Sequence, residues 1–238
     1  MPGDLAIDKS GKTIRDMFAG VAPRYDLLNH LLSGSLDVVW RRRAAAALGL
    51  GPGSRTLDLC CGTGDQALAV QARGPRVAAA DFCLPMLALA RRKYARAGGR
   101  PPAGLAADAL ALPLADRSFA GATVAFGLRN VADLDAALRE LHRALRPGGA
   151  LVVLEFAVPR RPLLRRLYLA YFRRVLPLLG RLLSPRGAAY SYLPSSVLEF
   201  PQRAGFLARM AAAGFGELEC RDLSAGVVCL YRGRRAAA

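Results

Sequence analysis

Acidic residues and glycines are spaced along this chain as a nucleotide-like ligand would require. In the stretch TLDLCCGTGD, residues 56–65, Asp58 lies in an apolar run four positions before Gly62, and Gly64 leads into a helical pattern. Glycines let the backbone approach a ligand closely, and the start of a helix offers free N–H groups. The stretch therefore predicts a cofactor-binding loop between a strand and a helix.

Two more carboxylates close the next two strand-like runs. Asp81 stands 17 residues after Gly64, where it could bind both hydroxyls of a ribose, and Asp108 with Ala109 could flank an adenine ring. Asp58 could meet the ammonium of an amino acid or organise the loop. A cofactor with an ammonium, a ribose and an adenine but no phosphate is S-adenosyl-L-methionine, which we therefore predict. The predicted cofactor site comprises Asp58, Gly62, Thr63, Gly64, Asp81, Phe82, Asp108 and Ala109.

The glycine turn has other interpretations. Residues 62–67, GTGDQA, also satisfy the G-x-G-x-x-G/A pattern, so an NAD or FAD enzyme is an alternative. Taken singly, Asp58 could cap a turn and Asp81 could begin a helix. Cys60 and Cys61 could be redox-active or bind a metal, but small buried residues of low reactivity are commoner there. No cysteine lies in a C-x-x-C pair and the two histidines have no ligand spacing, so we predict no metal site.

The elements that must position these residues alternate between strand and helix. From Arg55 onward the pattern predicts an α/β fold with a mostly parallel, helix-covered sheet. We expect one domain, residues 1–238, because the chain can bury one sizeable core. Its predicted parts are a helical amino-terminal arm (1–50), a cofactor-binding core (51–158), a helical insertion after the fifth strand (159–200) and a carboxyl-terminal helix with two strands (201–238).

The chain is strongly basic, with a formal net charge of +16. This charge suits an anionic membrane surface, a phosphate-rich polymer or an acidic partner. Because the aromatic residues are not interleaved with the arginines as base-stacking platforms, we predict no nucleic-acid partner and keep an RNA methyltransferase as a minor alternative. The sequence begins without a secretory signal pattern and has no run of ~18 to 20 uncharged apolar residues, so we expect a cytoplasmic protein.

Four motifs resemble signatures of the ubiquinone/menaquinone biosynthesis C-methyltransferase family, which belongs to the class I S-adenosylmethionine-dependent methyltransferases. They are MFAGVAPRYDLLNHLLSGSLDVVW (17–40), LDLCCGTGD (57–65), FGLRNV (126–131) and HRALRPGGALVVLEF (142–156). The resemblance covers nearly the whole chain. It implies a Rossmann-like fold with a seven-stranded sheet and helices on both faces. The chain departs from the family at Asp37, where histidine is usual, and at Ala125, a position near the cofactor that is often serine and that we add to the predicted cofactor site.

The resemblance also implies a reaction, the methylation of a ring carbon of a polyprenylated quinol, for which we favour demethylmenaquinol. A ring hydroxyl must first ionise, because the phenolate charge makes the neighbouring carbon nucleophilic, and a phenol pKa of about 10 is too high without help. Arg129 is the predicted cation that lowers this pKa, and Asn130 would orient the oxygen. An ion pair of Arg129 with a surface acid such as Asp133 is the structural alternative. A soluble aromatic secondary metabolite is the alternative substrate.

The remaining predicted site residues lie in the arm and the insertion. Tyr25, Asp26 and His30 are candidates for closing the site or accepting the proton, although a histidine on a leucine-rich helix is more often a packing residue. Asp37 is expected near the substrate mouth, and Tyr190 and Tyr192 resemble a family stretch near the substrate cleft.

The insertion also contains a predicted basic amphipathic helix. On a helical wheel one half carries Arg165, Arg166, Arg173 and Arg174, and the other carries Leu164, Leu167, Tyr168, Tyr171, Phe172 and Val175. Such a helix could lie on the inner face of an anionic membrane, where an isoprenoid quinol would be collected, or it could pack on the domain as a cap. A homodimer is a further expected assembly.

Overall fold

The structure, a computed structural model, describes residues 10–98, 101–175 and 188–237. The arm consists of α1 (Gly11–Val21), α2 (Tyr25–Ser33) and α3 (Leu36–Ala47). Helix α2 ends at Gly34, whose φ of +56° is readily adopted only by glycine. The predicted helical arm is therefore present in the described part of residues 1–50.

The core follows the predicted alternation of strands and helices. Its elements are β1 (Arg55–Leu59), α4 (Asp65–Gln71), β2 (Arg76–Asp81), α5 (Leu84–Ala97), β3 (Ala103–Ala106), β4 (Phe119–Ala125), α6 (Leu134–Ala144) and β5 (Leu145–Phe156). After them come α7 (Pro162–Ala170), α8 (Ala188–Glu199), α9 (Ala204–Ala212), β6 (Phe215–Leu223) and β7 (Val228–Arg235).

One seven-stranded sheet joins these strands in the order β3-β2-β1-β4-β5-β7-β6. Strands β1 to β5 pair in parallel, whereas β7 is antiparallel to both β5 and β6. The parallel strands place their carboxyl ends along one edge, which is where open α/β sheets bind ligands. The predicted mostly parallel sheet is confirmed.

Helices cover both faces of the sheet. On one face α6 and α9 pack Leu138, Leu141, Phe206 and Met210 into the core, and on the other α3, α4 and α5 contribute Trp40, Ala44, Val70, Ala90 and Tyr94. Trp40 also donates a hydrogen bond of 2.8 Å from its indole nitrogen to Ser224 Oγ, which ties α3 to the turn between β6 and β7. The arm is thus part of the domain rather than an appendage.

The end of β4 differs from what the sequence pattern predicts. The apolar run GATVAFGL, residues 121–128, predicts a strand through residue 128, but β4 ends at Ala125 because Phe126 adopts a left-handed φ of +63°. The chain then forms a 3-10 turn, Leu128–Asn130, at the carboxyl edge of the sheet. This reversal carries Arg129 and Asn130 back over the strand ends, which a continuing strand would not do.

The insertion is only partly as predicted. Helix α7 exposes Arg165 and Arg166 and buries Tyr168, and a short π-helical turn, Tyr171–Val175, buries Phe172. Leu167, assigned to the apolar half, is 60% exposed, because the helix packs through a narrow stripe formed by Tyr168 and Phe172. The side chains of Arg173 and Val175 lie outside the described residues.

Candidate active site

The first of two adjoining cavities lies at the carboxyl ends of β1 to β4; we call it the loop cavity. It measures about 130 Å³ and includes six of the nine predicted cofactor residues. These are Gly62, Asp81, Phe82, Asp108, Ala109 and Ala125. Helix α1 covers it from the other side with Gly11, Ile14 and Phe18. The arm therefore closes the cavity that the glycine turn opens.

Asp81 is fixed by the backbone on either side of it. Its Oδ2 accepts a hydrogen bond from the Gly62 amide and its Oδ1 accepts one from the Cys83 amide, both at 2.8 Å. Burial raises the pKa of Asp81, and these amide bonds oppose that shift. Each carboxylate oxygen keeps a lone pair for a further donor, so Asp81 can receive two hydroxyls at a preset orientation.

Asp108 and Ala109 form the adjacent wall with Leu110. Asp108 is exposed, and its Oδ1 accepts a hydrogen bond of 2.9 Å from the Leu110 amide, so its side chain is held at the rim. Across the cavity, Asn130 places Oδ1 in a buried position where it has no hydrogen-bond partner. Asp108 and Asn130 thus offer acceptors to a polar ring.

Asp58 behaves differently from the prediction that it meets an ammonium directly. Its side chain is completely buried behind the glycine turn and does not line the cavity. Burial raises the pKa of Asp58 to about 8; Arg41 opposes this shift and Asp81 adds to it. The backbone amide of Ala67 in α4, the helix after the glycine turn, also favours the ionised form of this carboxylate. The geometry favours the other interpretation, in which Asp58 organises the loop.

Gly64 and Thr63 also lie behind the cavity wall. Gly64 adopts a φ of +90°, and a β-carbon there would collide with the ring of Tyr94, so both conformation and space require glycine. The Thr63 hydroxyl donates to Asp26 at 2.5 Å and accepts from Lys93 Nζ at 3.2 Å. These two predicted residues shape the loop rather than line the cavity.

Asp26, predicted to act in catalysis, lies outside both cavities. Its Oδ2 forms an ion pair of 2.7 Å with Lys93 on α5, in addition to the bond from Thr63. Lys93 in turn pairs with Asp65 at 2.5 Å. We define Asp26, Thr63, Asp65 and Lys93 as the arm latch, because they tie the start of α2 to the glycine loop. The latch positions the arm, and it holds Asp26 outside the aromatic cavity.

The paired cysteines have no reactive environment. Burial raises the pKa of both the Cys60 and the Cys61 thiol, and the carboxylates of Asp81 and Asp58 add to the shift. A thiol that stays protonated is a poor nucleophile. Gly127 packs against the β-carbon of Cys60, and a β-carbon at position 127 would collide with it. Glycine at this position therefore lets the two loops approach closely. The geometry supports the packing interpretation.

The second cavity, of about 240 Å³, is walled mainly by aromatic and aliphatic side chains; we call it the aromatic cavity. It lies under α1, α2, α3, α7 and α8. Of the predicted catalytic and substrate residues it includes Tyr25, Asp37, Arg129 and Tyr192. Tyr190 belongs to α8, but its side chain lies outside the described residues.

Arg129 is buried, 7% exposed, and its partner is Glu155 rather than the surface acid Asp133. Glu155 accepts hydrogen bonds from the Arg129 backbone amide at 3.2 Å and from Nη1 at 3.0 Å. The same Nη1 donates to the Phe126 carbonyl, and the guanidinium lies 5.5 Å from the centre of the Phe156 ring. Nε has no hydrogen-bond partner. The cation is thus oriented on one side and has a free donor.

The two cavities share a wall. Phe18, Tyr25 and Phe126 line both of them, while the consecutive residues Arg129 and Asn130 line the aromatic and the loop cavity respectively. Asn130 Nδ2 reaches the same Phe126 carbonyl as Arg129, at 3.4 Å. The two cavities therefore adjoin beside Tyr25 and Phe126, and this junction is where a group held in one can approach a group held in the other.

His30 does not line either cavity; it supports Asp37, which does. Asp37 Oδ1 contacts His30 Nδ1 at 3.0 Å and accepts from Ser33 Oγ at 2.9 Å, and Arg41 Nε lies 3.8 Å from Oδ2. Burial opposes ionisation of Asp37, but the hydrogen bonds from His30 and Ser33 outweigh it and hold its pKa below the ordinary value. His30 therefore acts through Asp37, as a packing and hydrogen-bonding residue.

Sequence reasoning missed Glu155 and Lys93. Glu155 is a lone acid in the run ALVVLEF, and a charge inside a buried parallel strand is a signal that it has a buried partner. Lys93 gave no such signal, because it belongs to the exposed-looking series RRK on α5. Its role depends on the tertiary approach of α2 to α5.

The described residues contain one group whose side chains resemble metal ligands, Cys220, Asp222 and Cys229 on the β6–β7 ladder. It lies outside both cavities. The Arg203 guanidinium donates to Asp222 at 3.0 Å, so a cation already occupies this carboxylate. The sequence prediction of no metal site stays a prediction.

The loop cavity fits S-adenosylmethionine by its charge. Among the described residues that line it, two are carboxylates, Asp81 and Asp108, and none is lysine, arginine or histidine. The charged side chains that a pyrophosphate would meet among these residues are both negative, whereas a sulfonium cation is favoured beside them. This observation argues against the dinucleotide interpretation of the glycine pattern.

The sheet order and the helices on both of its faces give the chain the Rossmann-like fold of class I methyltransferases. A solved structure from Thermotoga maritima, described as an S-adenosylmethionine-dependent methyltransferase and possible histamine N-methyltransferase, is similar with a TM-score of 0.66 at 21% identity. The similarity covers 92% of this chain and 99% of that one.

A sequence model of the ubiE/COQ5 methyltransferase family matches residues 6–235, so the chain belongs to this family. A protein of Thermus thermophilus named demethylmenaquinone methyltransferase is 52% identical over 92% of this chain and 100% of its own length. A Geobacter sulfurreducens protein named ubiquinone/menaquinone biosynthesis C-methyltransferase is 44% identical over 96% of this chain and 91% of its own. The resemblance stated from the motifs is confirmed.

Proposed function

We propose that this chain transfers the methyl group of S-adenosylmethionine to a ring carbon of a polyprenylated quinol, converting demethylmenaquinol to menaquinol. The observation that carries the proposal is the junction at Phe18, Tyr25 and Phe126. Here a cavity with two carboxylates, and no basic side chain among its described lining residues, adjoins an aromatic one. The names of the relatives from Thermus thermophilus and Geobacter sulfurreducens support the same substrate class.

When bound, S-adenosylmethionine supplies an electrophilic methyl group on a sulfonium. The chain's contribution is to hold the ring carbon in line with that methyl group and to exclude water. Asp81 would bind the two ribose hydroxyls, and Asp108 and Ala109 would flank the adenine. Tyr25 would close the junction between the cavities, since it lines both of them. The arm latch keeps α2 in place during this step.

Arg129 would favour the ionised quinol. A ring hydroxyl beside the unpartnered Nε of Arg129 can lose its proton more readily, because the guanidinium stabilises the oxygen's negative charge. The electron pair of that oxygen would then activate the neighbouring ring carbon. This carbon would take the methyl group as the sulfur–methyl bond breaks, and its own hydrogen would leave as a proton to water, which restores the aromatic ring. Glu155 offsets part of the positive charge of Arg129, but its hydrogen bond to Nη1 fixes the orientation of the guanidinium. Asp37, whose carboxylate is held by His30 and Ser33, would place a negative charge on another part of the aromatic cavity's wall.

We further propose that the protein collects its substrate at an anionic membrane surface. Helix α7 carries Tyr168 on the aromatic cavity while Leu163 and Leu167 are 72% and 60% exposed beside Arg165 and Arg166. Exposed leucines next to arginines are suited to the boundary between lipid headgroups and acyl chains. In the part of the chain that the structure describes, no helix is long and apolar enough to cross a membrane. A homodimer and the lack of a nucleic-acid partner remain predictions.

The direct test is a methyl-transfer assay with the purified protein and deuterium-labelled S-adenosylmethionine. Reduced demethylmenaquinol, demethoxy-type benzoquinols and soluble phenols would be compared, with products identified by mass spectrometry. We expect the label on a ring carbon of demethylmenaquinol. Turnover of a soluble phenol, with none of any prenylated quinol, would favour the alternative of a soluble aromatic substrate.

Arg129→Ala tests the catalytic role of Arg129, and the midpoint of thermal unfolding must be measured with it because the change leaves the buried Glu155 without its partner. Turnover should fall by a factor of about 100 or more, the size of effect seen when one charge-stabilising donor is removed. Cofactor affinity should stay within about twofold, because Arg129 lines the aromatic cavity and not the loop cavity. Equal losses in turnover and affinity would mean that Arg129 acts through structure alone.

A further inference from the structure

Two tyrosine hydroxyls beside Arg129 are buried without a hydrogen-bond partner. Tyr168, on α7, is 8% exposed and Tyr192 lies on α8; both line the aromatic cavity. Neither Oη has a partner, and the same is true of Arg129 Nε. Burying a hydroxyl without a partner costs free energy, so such groups in a ligand cavity point to a ligand that pairs with them.

Packing brings the three groups to one region of the cavity. Tyr168 packs in the same apolar cluster as Phe156, and the Arg129 guanidinium lies over the Phe156 ring at 5.5 Å. Leu193, next to Tyr192 on α8, belongs to the same cluster. The charge of Arg129 acts on both phenols and lowers their pKa, although burial is the larger effect.

The two phenols are therefore hydrogen-bond donors at neutral pH. Burial raises the pKa of Tyr192 to about 12 and raises that of Tyr168 as well. A protonated phenol has one hydrogen to donate, and an ionised ring oxygen is the acceptor that gains most from it. Other charged or titratable groups around the pair are Glu155, Glu199, Tyr171, Asp37 and Arg41.

We propose that Tyr168 and Tyr192 donate to the same quinol oxygen that Arg129 stabilises, so that three donors form an oxyanion hole for the phenolate. The inference rests on the proposed quinol substrate and assigns a role to Tyr168. Two neutral donors and one cation stabilise the ionised ring more than the neutral ring, which lowers the pKa of the bound hydroxyl. A ligand without a ring oxygen would leave all three donors unpaired, and the site would reject it.

The test compares Tyr168→Phe, Tyr192→Phe and the double variant with the wild type, using reduced short-tail demethylmenaquinol. In each, kcat is measured from pH 6 to 9.5. We expect the rising limb of the pH profile to move up by about one pH unit in each single variant and further in the double one. Turnover at pH 7 should fall about 10- to 100-fold, with cofactor affinity unchanged.

Stability provides the second measurement. Removing a hydroxyl that has no partner should leave the midpoint of thermal unfolding unchanged or raise it, so that lost activity cannot be assigned to unfolding. Tyr231→Phe is the matched control, because Tyr231 is equally buried but its hydroxyl already accepts from the Arg203 amide at 2.8 Å, outside both cavities. It should keep the pH limb of the wild type.

Ionisation of a bound phenol can also be measured directly. A bound nitronaphthol, whose absorbance reports its ionisation, should have a lower pKa in the wild type than in Tyr168→Phe. An unmoved pH limb and an unmoved nitronaphthol pKa in both single variants would overturn the oxyanion hole while leaving quinol methylation intact. No methyl transfer to any quinol by the wild type would instead refute the proposed function.

Discussion

Asp81 is the carboxylate that we expect to bind the ribose hydroxyls of the cofactor. It is buried, yet backbone amides of Gly62 and Cys83 orient both of its oxygens toward the loop cavity. We expect Asp81→Ala to weaken S-adenosylmethionine binding about 10- to 100-fold, because two hydrogen bonds to a charged acceptor are lost. Isothermal titration calorimetry measures this. Asp116→Ala, at an exposed acid paired with Arg143, is the control and should bind like the wild type. Equal affinity in Asp81→Ala and the wild type would remove Asp81 from the cofactor site.

Asp58 makes stability depend on pH in an unusual direction. Because burial raises its pKa to about 8, the folded protein retains a proton between about pH 4 and 8 that the unfolded chain has released. The free energy of unfolding should therefore fall as the pH rises through this window, by at most about 1.4 kcal/mol per pH unit from this group. Above pH 8 the contribution should level off.

Urea denaturation of the wild type and of Asp58→Asn between pH 5.5 and 8.5 measures this contribution as the difference between two slopes. His142, whose pKa burial lowers, titrates in both proteins and cancels. The asparagine variant should lose the fall that Asp58 causes. Parallel curves for the two proteins would show that Asp58 is ionised throughout and that burial does not control its proton.

At the scale of elements, the arm latch decides whether α1 and α2 stay over the loop cavity. Asp26→Asn removes the charge that pairs with Lys93 and weakens the acceptor for Thr63. Partly exposed pairs contribute little to global stability, so the free energy of unfolding should change by less than about 1 kcal/mol. Dissociation of the cofactor should become about 3- to 10-fold faster, measured by stopped-flow displacement, because the arm opens more often.

Asp135→Asn is the matched control for the latch. Asp135 forms an exposed ion pair with Arg209, at a distance from the arm, so its loss should leave the dissociation rate unchanged. Hydrogen exchange in residues 11–33 should rise in Asp26→Asn alone. If neither the exchange nor the dissociation rate responds, the latch does not control the arm.

Strand and helix patterns made most of the fold predictable, because apolar runs that contain Asp58 or are closed by Asp81 and Asp108 recur with helical segments between them. The cofactor wall followed, since parallel strands must end at one edge. Turns that depend on tertiary contact did not follow. The left-handed Phe126 stops β4 early and brings Arg129 onto Glu155, and no local signal in GATVAFGL announces it. The latch role of Asp26 did not follow for the same reason, because Lys93 approaches it only after α2 packs near α5.

At the scale of the whole molecule, we expect the net charge of +16 and the exposed leucines of α7 to act together in binding an anionic membrane. The double change Leu163→Ser with Leu167→Ser should reduce binding to vesicles containing phosphatidylglycerol about 10-fold or more, because each leucine loses most of its apolar transfer energy. Turnover of long-tail quinol in vesicles should fall with it, whereas turnover of a short-tail analogue in solution should not. Vesicle sedimentation and the two assays give these numbers.

Leu84→Ser is the control for this change, since Leu84 is 62% exposed on α5 and lines neither cavity. It should bind vesicles like the wild type. Raising the salt concentration should weaken vesicle binding by both Leu84→Ser and the wild type, because salt screens the attraction between the basic protein and the anionic lipid. Equal vesicle binding by the α7 variant and the wild type would place the membrane contact elsewhere or remove it.

The measurement that tests the whole account most directly is a crystal structure of the protein with S-adenosylhomocysteine and a short-tail demethylmenaquinone bound together. We predict the adenosyl group in the loop cavity with its ribose hydroxyls on Asp81, and the quinone ring in the aromatic cavity with one oxygen at Arg129. The ring carbon beside that oxygen should face the sulfur at the junction of the two cavities, beside Tyr25 and Phe126. Electron density that puts either ligand outside its cavity, or turns the ring carbon away from the sulfur, would contradict the account.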